Sequence, residues 1–228
     1  MTTMARLNSA DRPRPSSELV SAVLHMAHWG GGAAPFGASW QKTMMWIFIV
    51  TDALLFSGLL CGYAFLRQAS TQPWPKQSEV FSIPFIALMT FILITSSMTM
   101  GSAVTAARLG DHKKARTMLA ITIVGGLCFL GCQAYEWSHL IHEGARLTGA
   151  LPGSALAAEG VPPVFTQAFF VLTGFHGSHV LSGLIILIVT FVRWSMRKTP
   201  SQGVEMAGLY WHFVDLVWVF IFTLFYLL

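Results

Sequence analysis

The chain has 228 residues, of which 54% are hydrophobic and only 11% are charged, and its mean hydropathy is +0.60. Soluble domains carry about 25% charged residues, so this composition argues against a soluble protein and predicts an integral membrane protein. The net charge of +4 at pH 7 comes from basic segments on one side of the membrane and does not indicate nucleic-acid binding.

Five stretches are long and apolar enough to cross a bilayer, which takes about 20 mainly apolar residues. They are residues 43–66, 80–107, 117–141, 164–192 and 207–228. Their short connections predict an all-α fold, a bundle of five transmembrane helices over residues 41–228, preceded by an N-terminal extension over residues 1–40. The longest connection, residues 142–163, is rich in Gly, Pro and Ala and is expected to be an irregular loop outside the membrane.

Basic residues are concentrated on alternate sides of the predicted spans. All but three of the 14 lysines and arginines belong to the N-terminal segment and to the connections after the second and fourth spans. The exceptions are Arg67, Lys76 and Arg146. The positive-inside rule therefore predicts a cytoplasmic N-terminus and, after five crossings, a periplasmic C-terminus.

Two spans carry small residues at intervals of four, which lets a neighbouring helix approach closely. In the fourth span these are Gly174, Ser178 and Ser182, and in the second span they are Ser97, Gly101 and Thr105. We expect both sets to pack mainly against other helices of the same bundle.

Asp52 is near the middle of the first span, in the stretch IVTDALLFSG. Burial in hydrocarbon favours the neutral form of an unpaired carboxyl group. An ionisable side chain at this depth is a candidate functional group. The carboxyl group could bind a proton, hydrogen-bond to a neighbour or pair with a histidine, or it could simply join two helices.

Glu136 lies in the third span, and His139 follows three residues later, in CQAYEWSHLI. This Glu-x-x-His pattern is one half of a di-iron carboxylate site. The other half requires a second such pattern and two further glutamates on helices, and the remaining acids do not supply them. We therefore do not expect a metal here.

His176 and His179 lie on one side of the fourth span, and His212 is the other histidine at mid-membrane depth. Haem and copper centres need more imidazole ligands at compatible depth, so hydrogen bonding between helices explains these residues better than metal ligation. His212 and Asp215, one helical turn apart, are expected to form a local polar pair.

Three segments resemble one family. TGFHGSHVLSGLIILIVTFVR resembles the Gly-Phe-His-Gly-x-His-Val helix of subunit III of haem-copper terminal oxidases, a helix followed at a set distance by an arginine, here Arg193. YWHFVDLVWVFIFTLFYLL resembles the closing helix of that family, and QAYEW resembles a third motif. The resemblance covers residues 40–228, with five spans in order, as in the short bacterial form.

The resemblance implies a non-catalytic subunit of a proton-pumping oxygen reductase in the bacterial plasma membrane. In that family haem and copper belong to partner subunits, whereas subunit III stabilises subunit I, binds phospholipid and supports proton uptake. The implied partners are subunits I and II, with subunit IV as a further candidate. No residue of this chain is expected to be catalytic or to bind a metal.

The same resemblance assigns roles by position. Asp52 falls where many members have a carbodiimide-reactive glutamate, and Arg193 falls where a residue contacts a lipid phosphate. Arg197 is expected to bind lipid beside it. The proton-linked or interhelical polar residues implied by the match are Asp52, Glu136, His176, His179, His212 and Asp215.

The electron donor is ambiguous in the motifs. Asp52 in place of glutamate resembles the quinol-oxidase branch, whereas Gln133 ahead of Tyr135 and Glu136 resembles the cytochrome c branch. We favour cytochrome c oxidase, with a quinol oxidase subunit III or an accessory subunit of a nitric oxide reductase as alternatives. A stand-alone membrane metal enzyme is a more remote alternative, and a transporter is disfavoured because inverted repeats are not evident.

Overall fold

The computed structural model describes residues 39–71, 74, 75, 77–154, 156 and 160–227. Five helices in it are long and apolar enough to cross a membrane. They are α1 (Trp40–Ala69), α2 (Ile83–Arg108), α3 (His112–His142), α4 (Pro163–Ser195) and α5 (Ser201–Ile221), the last continuing as a π-helical segment, Phe222–Leu227. The predicted all-α, five-span fold is confirmed.

The chain divides into two compact units, Met1–Trp46 and Ile47–Leu228. In the first unit the described residues form the first turns of α1, where the Thr43 amide donates to the Ser39 carbonyl at 3.1 Å. The predicted extension over residues 1–40 lies almost wholly outside the described residues, so its boundary stays a prediction. The second unit is the helical bundle.

Four of the five helices begin earlier than predicted, and the difference is largest for α3 and α5. The third span was expected from residue 117, but α3 begins at His112, and the last span was expected from residue 207, but α5 begins at Ser201. Hydropathy detects only the part of a helix that lies in hydrocarbon, whereas polar first turns continue the helix into the head-group region. At α3 the start is set by Asp111, whose side chain accepts a hydrogen bond from the Lys114 amide at 3.0 Å.

The core is formed where α2, α3, α4 and α5 pack against one another, and close approach depends on glycines of α3. A Cβ atom on Gly125 would lie 2.7 Å from Ser96 of α2, and one on Gly126 would lie 2.7 Å from the Trp211 ring of α5. Fully buried side chains fill the space between these helices, among them Met100, Phe129 and Trp218. Glycine is therefore required where α3 meets α2 and α5.

The small residues of α4 contact two different neighbours. A Cβ atom on Gly174 would lie 3.1 Å from the Trp137 ring of α3, and Ser182 lies 2.7 Å from the Tyr210 hydroxyl of α5. Ser178 is exposed. On α2, Ser97 and Gly101 face His212 of α5, whereas Thr105 is exposed.

The connection between α3 and α4 was predicted to be an irregular loop, but part of it forms a short hairpin. Two short antiparallel strands, β1 (Ala145–Arg146) and β2 (Gly149–Ala150), pair with Ala145 opposite Ala150. Gly149 has a φ of 115° and would place a Cβ atom 2.9 Å from Pro163. The strands are too short to leave the alternating pattern by which a hairpin is recognised in sequence.

Candidate functional site

Asp52 of α1 meets His179 of α4 inside the bundle. Asp52 Oδ2 lies 3.3 Å from His179 Nε2, and only 8% of Asp52 is exposed. The approach is close, but it is not aligned as a hydrogen bond to any described residue. Asp52 and His179, both predicted as site residues, are therefore in contact although they belong to different helices.

The other nitrogen of the His179 ring determines where a proton must be. Nδ1 lies 2.8 Å from the backbone carbonyl oxygen of Phe175, which can only accept a hydrogen bond, so Nδ1 carries hydrogen. In a neutral ring Nε2 is then an acceptor that faces a carboxyl oxygen. The geometry therefore places a buried carboxyl oxygen 3.3 Å from an imidazole nitrogen whose orientation is set by a backbone carbonyl.

Aromatic rings surround this pair. The Phe175 ring centre is 4.6 Å from that of His179, and the Phe56 ring centre is 5.2 Å away. Next to it, the Tyr210 hydroxyl donates to the His179 carbonyl oxygen at 3.2 Å and holds α5 against α4. Apolar surroundings lower the local dielectric constant and so strengthen the electrostatic interaction between the Asp52 carboxyl group and the His179 ring.

His176 lies one turn earlier on α4 and is fully buried. Neither of its ring nitrogens has a hydrogen-bond partner among the described residues. Its ring packs between Trp218, at 5.1 Å between centres, and Phe129, at 5.9 Å. The prediction that hydrogen bonding between helices explains His176 is therefore wrong for the described residues. An unsatisfied buried polar group costs about 1–3 kcal/mol.

Glu136 forms a separate polar centre between α3 and the end of α5. Its Oε2 atom accepts hydrogen bonds from the Tyr226 hydroxyl at 3.2 Å and from Gln133 Nε2 at 3.3 Å. Its Oε1 atom has no partner in the described part of the chain, and the residue borders a cavity of about 200 Å³ shared with His139 and Ser82. Tyr226 was not predicted as part of this centre.

His139 does not join Glu136 in a metal site. Its Nδ1 atom lies 3.5 Å from Glu143 Oε1, at an exposed position near the end of α3. Across residues 39–71, 74, 75, 77–154, 156 and 160–227, no three His, Cys, Asp or Glu side chains come together as metal ligands would.

His212 and Asp215 are joined through α2. The Ser97 hydroxyl lies 2.6 Å from His212 Nδ1 and also interacts with the Asp215 carboxyl group. No ion pair directly between His212 and Asp215 is found within the described bundle. The expected pair is thus mediated by a serine of another helix, which sequence reasoning noted only as a small residue.

Two buried tryptophans of α5 donate hydrogen bonds from their indole N–H groups to side chains of α2, and these contacts were not predicted. Trp211 Nε1 donates to Ser96 Oγ at 2.9 Å, and Trp218 Nε1 donates to Thr90 Oγ1 at 3.0 Å. A signal was present in the sequence, because an indole N–H inside a membrane needs an acceptor and these two tryptophans are seven residues apart.

Arg193 and Arg197 lie at the end of α4, where both side chains are exposed. Arg193 Nε donates to Thr199 Oγ1 at 3.1 Å, and Arg197 has a φ of 55°. Nearby, Trp194 Nε1 donates to the His112 carbonyl oxygen at 3.4 Å and so holds the start of α3 against the end of α4.

Residues 23–228 match the family model described as cytochrome c oxidase subunit III. The chain belongs to the cytochrome c oxidase subunit III family. The resemblance drawn from three motifs is therefore confirmed, as is a multi-pass protein of the bacterial plasma membrane.

Relatives within the cytochrome c oxidase subunit III family include both kinds of oxidase. The chain is 34% identical over 186 residues to cytochrome c oxidase subunit 3 of Bacillus sp. (strain PS3), covering 80% of this chain and 83% of the relative. It is 37% identical over 186 residues to quinol oxidase subunit 3 of Bacillus spizizenii, covering 80% and 84%. It is 33% identical over 205 residues to cytochrome bo(3) ubiquinol oxidase subunit 3 of Pseudomonas aeruginosa, covering 89% and 88%.

Proposed function

We propose that this chain is the non-catalytic subunit III of a proton-pumping haem-copper oxygen reductase. The observation that carries the proposal is the family match over residues 23–228. In this proposal, haem and copper are held by partner subunits, and the chain binds subunits I and II in the plane of the membrane, with subunit IV as a further candidate partner. Its own contribution is structural support, phospholipid binding and assistance to proton uptake.

The Asp52–His179 pair supports the role in proton uptake. In this proposal a proton passes between Asp52 Oδ2 and His179 Nε2 without moving a helix, since the two atoms are already 3.3 Å apart. The carbonyl of Phe175 holds the imidazole orientation by accepting from Nδ1. We propose that this pair exchanges protons with the partner subunit during turnover.

Arg193 and Arg197 support the role in lipid binding. A guanidinium group can donate two parallel hydrogen bonds to a phosphate, and both side chains are exposed at the end of α4. Arg108 at the end of α2 pairs with Glu205 at 2.8 Å, so the helix ends around them are held in place. We propose that this end of the bundle is cytoplasmic, in agreement with its concentration of basic residues.

We propose cytochrome c as the electron donor, with quinol as the second candidate. Gln133 is the residue that favours cytochrome c. Its side chain donates a hydrogen bond to Glu136 and so belongs to the polar centre around Glu136. Relatives named quinol oxidase subunit 3 match at similar identity, which supports the alternative. Oxygen uptake by the purified complex with reduced cytochrome c or with a quinol separates the two, as does a copper-binding cupredoxin motif in subunit II.

The assembly is tested by purifying this chain through an affinity tag in mild detergent. The proposal predicts that a larger, haem-bearing subunit copurifies and that the complex reduces oxygen. Copurification with a nitric oxide reductase would replace the proposed complex with the accessory alternative. A stable monomer with stoichiometric iron or copper that is lost on His176→Ala would instead identify a stand-alone metal enzyme.

A further inference from the structure

A groove of about 350 Å³ lies beside the β-hairpin, at the end of the bundle where α3 ends and α4 begins. Its walls are almost entirely apolar, with one basic side chain at the edge. The lining residues are Trp137, Ile141, Ala145, Arg146, Leu147 and Phe170. This is the end of α4 opposite to Arg193 and Arg197, so the groove is separate from the lipid site already proposed.

The aromatic wall of the groove is held rigidly. Trp137 Nε1 donates to Thr173 Oγ1 at 3.1 Å, and the Trp137 ring packs edge-on against Phe170 at 5.3 Å between centres. Gly174 leaves room for the indole, because a Cβ atom there would lie 3.1 Å from it. A ligand would therefore meet a preformed wall and would not have to order these side chains on binding.

The guanidinium group of Arg146 is anchored at the edge of this wall. Its Nη1 atom donates to the carbonyl oxygens of Ile141, at 3.1 Å, and Ala145, at 3.2 Å. The donors on Nε and Nη2 form no hydrogen bond to another residue that the structure describes. A positioned cation with donors to spare is the arrangement that binds a phosphate group.

We propose that this groove binds one anionic phospholipid. The phosphate is held by Arg146, and an acyl chain lies along Trp137, Ile141 and Phe170. α3 ends at His142, so Trp137 and Ile141 belong to the end of an apolar helix, whereas Arg146 follows that end. Basic residues just beyond a helix end and aromatic residues near it are typical of a membrane interface. Apolar walls explain why a lipid fits better than a free phosphate ion, and the single positive charge favours an anionic head group.

The test is the phospholipid content of the complex purified from native membranes, measured by mass spectrometry for each lipid class. Arg146→Gln should lose about one anionic phospholipid per complex, since it removes the charge that binds the phosphate. Leu147→Asp should lose the same lipid, because Leu147 is 61% exposed and the new carboxylate repels an anion without disturbing the core. Arg67→Gln, at the end of α1 on the same side of the bundle, is the matched control and should keep the wild-type count.

Haem content and oxygen uptake of each variant are recorded on the same samples, so failure of the lipid site is distinguishable from failure of the oxidase proposal. Wild-type anionic lipid content in both Arg146→Gln and Leu147→Asp would overturn the inference. Loss of a zwitterionic lipid in place of an anionic one would overturn it as well. So would a photo-cross-linker at position 147 that captures another protein subunit in good yield, since the groove would then be a protein interface.

Discussion

Asp52 Oδ2 lies 3.3 Å from His179 Nε2, while Nδ1 of the same imidazole is 2.8 Å from the Phe175 carbonyl oxygen. A carboxyl group therefore lies beside an imidazole whose other nitrogen is bound to a backbone carbonyl, in an aromatic environment. Under the proposed function, this pair exchanges protons with the partner subunit during turnover.

Asp52→Asn should leave assembly largely intact but change the rate of proton uptake or the turnover lifetime of the complex. Asparagine keeps the size of the side chain, but it cannot exchange a proton with His179. The measurement is oxygen uptake and proton release by the reconstituted complex over many turnovers. Asp52→Glu is the matched control and should behave like wild type, because the carboxyl group is retained. Unchanged turnover, pumping and inactivation rate in Asp52→Asn would reduce Asp52 to a packing role.

Ser97→Ala should destabilise the bundle, because the Ser97 hydroxyl contacts both His212 and Asp215. Interhelical hydrogen bonds within membranes contribute about 0.5–2 kcal/mol, so a loss of this size is expected. Thermal unfolding of the purified complex gives the change. Ser102→Ala is the control, because that exposed hydroxyl bonds only within its own helix, to the Met98 carbonyl oxygen at 3.2 Å. Equal stability of the two variants would show that the Ser97 contact is not energetically significant.

Gly126→Ala should impair the packing of α3 against α5. The new Cβ atom would lie 2.7 Å from the buried Trp211 ring, whose N–H is already bound to Ser96. Overpacking of this kind costs about 1–3 kcal/mol, so a lower yield and a lower unfolding temperature are expected. Gly131→Ala, on the same helix, has nothing within 4 Å of the added atom and should be neutral or slightly stabilising. A wild-type unfolding temperature for Gly126→Ala would contradict the close contact.

Arg193→Ala should reduce the phospholipid retained by the purified complex. The side chain is exposed at the end of α4, and its loss removes the donors that are proposed to bind a phosphate. Arg116→Ala is a suitable control, since Arg116 is an exposed arginine near the start of α3. A lipid count equal to wild type in Arg193→Ala would refute the assignment.

Much of the fold was predictable from the sequence, because each span is a continuous apolar stretch of sufficient length. The starts of α3 and α5 were placed too late, since polar first turns do not contribute to hydropathy. The hairpin over residues 145–150 was missed because two-residue strands leave no periodic pattern. Loop and helix-end geometry depends on local turns, which hydropathy does not report.

The sequence predicted which residues belong to the candidate site, but it did not predict which residues they contact. Asp52 and His179 were both chosen because ionisable groups are costly in a membrane, yet their contact depends on how α1 and α4 pack. Likewise, Ser97 was noted as a small residue, and its hydroxyl proved to join His212 to Asp215. Tyr226 was missed because a tyrosine near the end of a span is ordinarily an interfacial residue.

The non-catalytic role is tested most directly by comparing the complete complex with one from which this chain has been removed. The measurement is haem content per subunit I, together with oxygen uptake and its decay during turnover. We predict unchanged haem content and retained initial turnover, with faster loss of activity in the depleted complex. Loss of haem in proportion to loss of this chain would contradict the proposal, because the chain would then hold a redox centre itself.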